Sequence, residues 1–88
     1  MSIRHFRIFI AVAEEENITK AAKKLYLTQP TVSVAIKEIE EHYAARFFER
    51  INQRLRITEE GKRFLDYAKH FIAMYDEMEI AFKNADFT

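Results

Sequence analysis

Residues 18–39 read ITKAAKKLYL and then TQPTVSVAIKEI, and the two apolar patterns in this stretch decide the fold. In the second half, Thr28 stands where an N-cap hydroxyl accepts a bond from a free N–H of the first helical turn. Pro30 falls inside that turn, where its missing N–H would have had no intrahelical partner. Leu27 and Val32 have the spacing of a hydrophobic staple across the cap. Val32, Ile36, Ile39 and Tyr43 then recur at intervals of four, three and four, which makes one apolar helical face. The opposite face carries Pro30, Val34, Lys37 and Glu41, with Thr31, Ser33 and Glu38 beside it. Small hydroxyls and a basic residue near a helix N-terminus suit base edges and phosphates. Val34 is the apolar exception, either an ordinary solvent-facing valine or a contact for a thymine methyl group.

In the first half, Ile18, Ala21, Ala22 and Leu25 form a compact stripe. Its two alanines allow a close helix crossing, and Lys20, Lys23 and Lys24 take the remaining surface. Either Asn17 or Thr19 can cap this helix. A short helix, a three-residue turn and a stapled second helix make a helix-turn-helix. Its second helix, about residues 29–43, is placed to enter a DNA major groove.

The bulk composition narrows the remaining choices. Eighty-eight residues allow one core close to the lower limit for folding without staples. The absence of cysteine excludes disulfides and thiolate metal sites. No apolar run approaches the ~20 residues that span a bilayer, so no membrane partner is expected. MSIRHFRIF at the N-terminus lacks the apolar core of a signal peptide. The expected location is the cytoplasm, on the nucleoid if DNA is the partner. A formal net charge of zero argues at first against nucleic acid. Yet residues 20–56 hold eight Lys and Arg against four Glu, while Glu14–Glu16, Asp76, Glu77, Glu79 and Asp86 balance them elsewhere. A basic middle between acidic ends fits an oriented DNA-binding face, and equally an ordinary mixed surface.

Outward from the helix pair, Ile3, Phe6, Phe9, Ile10 and Ala13 form a helical stripe that Ile8 and Val12 broaden, a deeply packed floor for the motif. C-terminal to it, Phe47 and Phe48 belong in the core. Residues 49–51 and 55–57 are short β-prone stretches around Asn52, Gln53 and Arg54, although the loop lacks the Asn-Gly signal of the tightest hairpins. Arg50, Arg54 and Arg56 make this hairpin basic, as a wing lying along a duplex backbone or in a minor groove would be. Thr58, Glu59 and Glu60 then open a final helix with a hydroxyl cap and two acids in its first turn. Phe64, Ala68, Phe71, Tyr75, Met78, Phe82 and Ala85 recur every four and three residues, with Leu65 and Ile72 widening the stripe. Helical from residue 59 to about 84, this element is roughly 39 Å long. A domain this small cannot cover such a face alone, so the outer part is expected to pair with a second copy.

These residues resemble a known family. NITKAAKKLYLTQPTVSVAIKEIE and ARFFERINQRLRITEEG are similar to the N-terminal domain of LysR-type transcriptional regulators. The combination rests on Ala21-Ala22, Leu25, Gln29-Pro30, Ser33, Ile36, Glu40, Phe48-Glu49-Arg50, Leu55, Thr58 and Gly61. The resemblance implies a mainly α fold: a winged helix-turn-helix of three helices and a two-stranded wing over residues 1–58, then a linker and dimerisation helix over 59–88. It implies base reading by Gln29, Pro30, Thr31, Ser33 and Val34, and backbone contacts from helix-turn-helix lysines and from Arg50 and Arg54. Family members usually carry a larger C-terminal domain that binds a small inducer. This chain looks like the DNA-binding portion without it. Many relatives have arginine at the position of Val34. Tyr43-Ala44 replaces the usual Leu-Gly, which removes the left-handed cap glycine and suggests a less sharp end to the helix.

The expected function is sequence-specific duplex DNA binding by a homodimer on a dyad-symmetric site. Lys23, Lys24, Thr28, Gln29, Pro30, Thr31, Ser33, Val34, Lys37, Arg50, Arg54 and Arg56 are the expected DNA contacts. Phe64, Ala68, Phe71, Ile72, Tyr75, Met78 and Phe82 form the expected dimer seam. The alternative is a winged-helix protein-interaction module whose working surface is the Phe-rich helix. An enzyme is not expected. His5, His42 and His70 lack metal-ligand spacing, the carboxylates at 14–16, 38–41 and 59–60 read as solvent-facing or capping, and one glycine makes no phosphate-cradling loop. Neither a metal nor a cofactor is expected.

Overall fold

In the computed structural model, which describes residues 1–83, the chain forms α1 (Ile3–Glu15), α2 (Ile18–Leu25), α3 (Gln29–Tyr43), β1 (Phe48–Ile51), β2 (Arg54–Ile57) and α4 (Glu59–Lys83). The expectations at Asn84, Ala85 and Asp86 lie outside the described residues. The architecture is the expected winged helix-turn-helix followed by a long helix.

The core forms where the apolar stripes converge. Phe9, Val12, Val32, Ile39 and Ala21 are fully buried, and Phe47 from the loop after α3 and Phe48 at the start of β1 close the cluster. Phe9 sits at its centre, with its ring 4.7 Å from Phe64, 5.1 Å from Phe48 and 5.6 Å from Phe47 between centroids. Offset and edge-on aromatic contacts of this kind add about 0.5–1.5 kcal/mol each beyond burial. Ala21 and Ala22, both buried, admit the close crossing of α2 with its neighbours.

Local bonds define the element ends. The Oγ1 of Thr28 accepts the N–H of Thr31 at 3.3 Å, the expected cap of α3. Asn17, rather than Thr19, caps α2, its Oδ1 accepting the N–H of Lys20 at 2.9 Å. Helices α1, α2 and α3 all end on a left-handed residue that is not glycine: Glu16 (φ 46°), Tyr26 (φ 57°) and Ala44 (φ 50°). Ala44 corrects the expectation of a ragged end. The N–H of Ala45 reaches the carbonyl of Glu40 at 3.0 Å and that of Ala44 the carbonyl of Glu41 at 3.3 Å, so the helix stops sharply without glycine. A left-handed alanine is disfavoured by about 1–2 kcal/mol, part of which glycine recovers. Ala44→Gly is therefore expected to stabilise the fold by about 1 kcal/mol, read as a rise of about 4–8 °C in Tm. An unchanged or lower Tm would show that the alanine carries no strain.

Glu40, expected at the surface, is half-buried. Its Oε2 accepts the N–H groups of both Phe47 (2.7 Å) and Phe48 (3.1 Å), and this tie fixes the loop that delivers the two phenylalanines to the core. The wing is a two-stranded antiparallel sheet pairing Phe48 with Ile57 and Ile51 with Arg54. Only Asn52 and Gln53 lie between the strands, both at positive φ (52° and 64°), so the tightest hairpin forms without the Asn-Gly pair. Leu55 and Ile57 turn inward, while Arg54 and Arg56 point out.

Helix α4 packs its first half along α1. Phe6 lies between Phe64 (6.0 Å) and Phe71 (4.7 Å), and Arg7 meets Asp76 at 2.6 Å. That guanidinium holds the Asp76 carboxyl below the usual carboxylate range.

Candidate nucleic-acid interface

The N-terminal end of α3 is exposed. Gln29, Pro30, Ser33 and Val34 are all exposed, Val34 to 55%, and Thr31 is half-exposed with its hydroxyl 2.8 Å from that of Thr28. They are exposed because Val32, Ala35, Ile36 and Ile39 take the other face into the core.

Two grooves flank this end. One, about 520 Å³, runs between α3 and the wing, and its lining includes Gln29 and Ser33 from α3 with Arg50, Gln53, Arg54 and Arg56 from the hairpin. The corner between α1 and α2 forms its floor, with Glu15, Glu16 and Lys20. Four cations therefore face two carboxylates there, a local surplus of two positive charges. The second groove separates α3 from α1, with Pro30, Thr31 and Val34 opposite Arg4 and His5. His5 bridges the two helices, its Nε2 lying 3.0 Å from Oε1 of Glu38.

This arrangement presents hydroxyls, an amide and a valine on a convex helix end, with guanidinium groups on the adjacent hairpin. A major groove about 12 Å wide admits a helix of this kind. Residues 3–62 match the family described as bacterial regulatory helix-turn-helix protein, lysR family. The chain belongs to the lysR family.

Among its relatives is the HTH-type transcriptional regulator BenM of Acinetobacter baylyi, 40% identical over 78 residues, which cover 89% of this LysR-family chain and 26% of BenM. An uncharacterized HTH-type transcriptional regulator of Bacillus subtilis, YxjO, is 41% identical over 75 residues, covering 85% of the chain and 26% of YxjO. The LysR-family chain thus spans about a quarter of the length of these relatives. Among solved structures, the complex of the BenM DNA-binding domain with catB site 1 DNA superposes with a TM-score of 0.91 at 37% identity, covering 98% of this chain and 97% of that one.

The LysR-family chain does not gather all the expected contacts in one place. Gln29, Ser33, Arg50, Arg54 and Arg56 meet in the first groove. Lys24 instead turns to Glu14 (3.3 Å) and Glu15 (3.7 Å), and Arg56 stands 3.8 Å from Glu16. Lys37 lies in a separate depression with Glu40, Glu41 and Arg46, and Lys23 is exposed on α2 without lining either groove. Two residues beside these grooves carry no sequence signal: Gln53 at the wing tip and Arg4, which only the packing of α1 against α3 brings beside Pro30. A charge count within each helix carries no signal for these.

The expected dimer seam also divides. Phe64, half-buried, stacks on Phe47 (4.6 Å between centroids), Ala68 is fully buried and Ile72 is 9% exposed, so these three turn mainly to the chain's own core. Tyr75 is half-buried, its hydroxyl donating to Glu79 at 2.9 Å. Phe71, Met78 and Phe82 are exposed, joined by Tyr67 and Met74, which the sequence reading passed over.

Proposed function

We propose that this chain is the DNA-reading part of a homodimeric LysR-type transcriptional regulator that binds a dyad-symmetric duplex site sequence-specifically. The observation that carries the reading is the groove in which Gln29 and Ser33 of α3 face Arg50 and Arg54 of the wing. Base edges are read by Gln29, Pro30, Thr31, Ser33 and Val34, the last by apolar contact with a thymine methyl group. Arg50 and Arg54 hold the phosphate backbone, with Lys20 beside them in the same groove. Lys24 and Arg56 contribute only by leaving their carboxylates, Thr28 serves as cap, and Lys37 is peripheral. Residues 1–58 form the reading domain, and 59–88, which include α4 (Glu59–Lys83), the part that joins two copies. The setting is the cytoplasm, on nucleoid DNA. The chemistry is binding, not catalysis.

Selection from a random duplex pool, followed by titration of the enriched pool at several salt concentrations, tests the reading. A dyad should be enriched, and log affinity should fall steeply with log salt as counterions are released. A steep salt slope without enrichment would mean non-specific binding only. No binding at any salt would make the protein-interaction module the better reading. Within the interface, Arg54→Ala is expected to weaken binding to every duplex and to reduce the salt slope by about 0.9. Ser33→Ala should instead relax preference at one base position by about 1 kcal/mol, the net worth of one hydroxyl hydrogen bond. Equal behaviour of the two variants would refute this division of roles.

A further inference from the structure

Glu16 ends α1 in the left-handed region, at φ 46°, where glycine would be the relaxed choice. Its side chain crosses to an element 41 residues away. Oε2 accepts the N–H of Ile57 at 3.1 Å, and Oε1 lies 3.8 Å from Nη1 of Arg56. Ile57 closes the base of the wing, paired with Phe48, so the carboxylate ties the end of α1 to the strand that carries Arg54 and Arg56. The same carboxylate lines the groove that α3 shares with the wing. Negative charge on such a surface opposes phosphate, and here it also compensates the nearest guanidinium.

We propose that Glu16 is a positioning residue that sets specificity at the DNA interface. It latches the base of the wing at the angle α3 requires, and it holds the charge of Arg56 back from indiscriminate phosphate contact. The inference rests on the DNA-binding reading above. Specificity is a ratio of affinities, so a device that lowers binding to arbitrary duplex while preserving wing geometry raises it.

Two substitutions separate the parts. Glu16→Gln keeps an oxygen acceptor for Ile57 and removes the charge. Glu16→Gly removes both and suits the backbone. With a random-sequence duplex as probe, both variants are expected to bind roughly fivefold or more tightly than the parent at about 0.1 M salt, with a salt slope steeper by about 0.9 as Arg56 becomes available. Against the duplex enriched by selection, Glu16→Gln should retain the parent's preference, while Glu16→Gly should lose about tenfold of it. A purely structural Glu16 would lower Tm without moving the salt slope, and an unchanged slope in Glu16→Gln overturns the proposal even if Glu16→Gly fails to fold. Should the parent chain bind neither duplex at any salt, the DNA reading itself falls, and that result is in hand before any variant is made.

Discussion

Gly61→Ala is expected to destabilise the chain by about 2 kcal/mol, although helix propensity alone predicts a gain of about 1 kcal/mol. Gly61 is buried in the first turn of α4. A Cβ built there would lie 2.2 Å from the carbonyl oxygen of Phe47, 3.1 Å from its carbon and 2.6 Å from Cγ1 of Ile57. Two of those atoms are backbone, so no rotamer change relieves them. The same carbonyl accepts the N–H of Thr58 at 2.9 Å, and the hydroxyl of Thr58 both donates to the carbonyl of Arg46 (2.8 Å) and accepts the N–H of Gly61 (3.0 Å). Backing α4 away would therefore break the cap of the helix as well as unpack Phe64. Overpacking of this kind typically costs about 1–3 kcal/mol, occasionally more, and outweighs the propensity gain. For a domain of this size the loss reads as a fall of about 8–16 °C in Tm, measured by circular dichroism at fixed protein concentration. A rise in Tm would show that the helix start has room to move and that Gly61 is not a contact residue.

That position also shows where sequence reading stops. A glycine in a helical pattern announces a cost, but the backbone that approaches it comes from a loop fourteen residues earlier. The elements themselves were legible because each rests on local rules: the Thr28 cap, the four-and-three spacing of α3, and the apolar pair Phe47-Phe48. Features that rest on tertiary bonds were not. Glu16 and Glu40 sit in acid-rich stretches that read as solvated surface, yet both carboxylates accept backbone N–H groups of distant residues. The left-handed ends at Glu16, Tyr26 and Ala44, and the turn at Asn52-Gln53, carry no glycine to mark them. The reading end of α3 was visible as a cluster of small polar residues opposite an apolar stripe. Its neighbours in space, Arg4 and the α1–α2 corner, depend on how three helices cross. On α4 the division between covered and uncovered apolar residues runs round the helix as well as along it, and periodicity reports which residues are apolar and not which neighbour covers them.

Two stripes run along that helix, and the uncovered one makes Met74→Glu the substitution with the largest expected effect on DNA binding. Tyr67, Phe71, Met74, Met78 and Ala81 follow one another at intervals of four, three, four and three, all exposed, with Phe82 at their edge. This is the heptad spacing of a helix pair, displaced round the helix from the buried line of Phe64, Ala68 and Ile72. Met74, 71% exposed, lies in the middle of that seam. In a two-fold pair each substitution counts twice, placing two carboxylates in or near an apolar contact and removing two methionines from it. A loss of about 2.7 kcal/mol or more corresponds to at least about a hundredfold weaker dimer. On the proposed reading, in which the two copies bind a dyad as a linked pair, separating them should reduce affinity for the enriched duplex by about two orders of magnitude. Ile80→Glu is the control: Ile80 is 63% exposed but lies about 120° round the helix from Met74, away from the seam. Sedimentation equilibrium and duplex titration, run on both variants with a thermal melt to verify folding, should find Met74→Glu monomeric and weak-binding while Ile80→Glu resembles the parent. If the two variants behaved alike, the exposed heptad would not be the surface through which two copies meet, and the half-sites would have to be coupled by something other than α4.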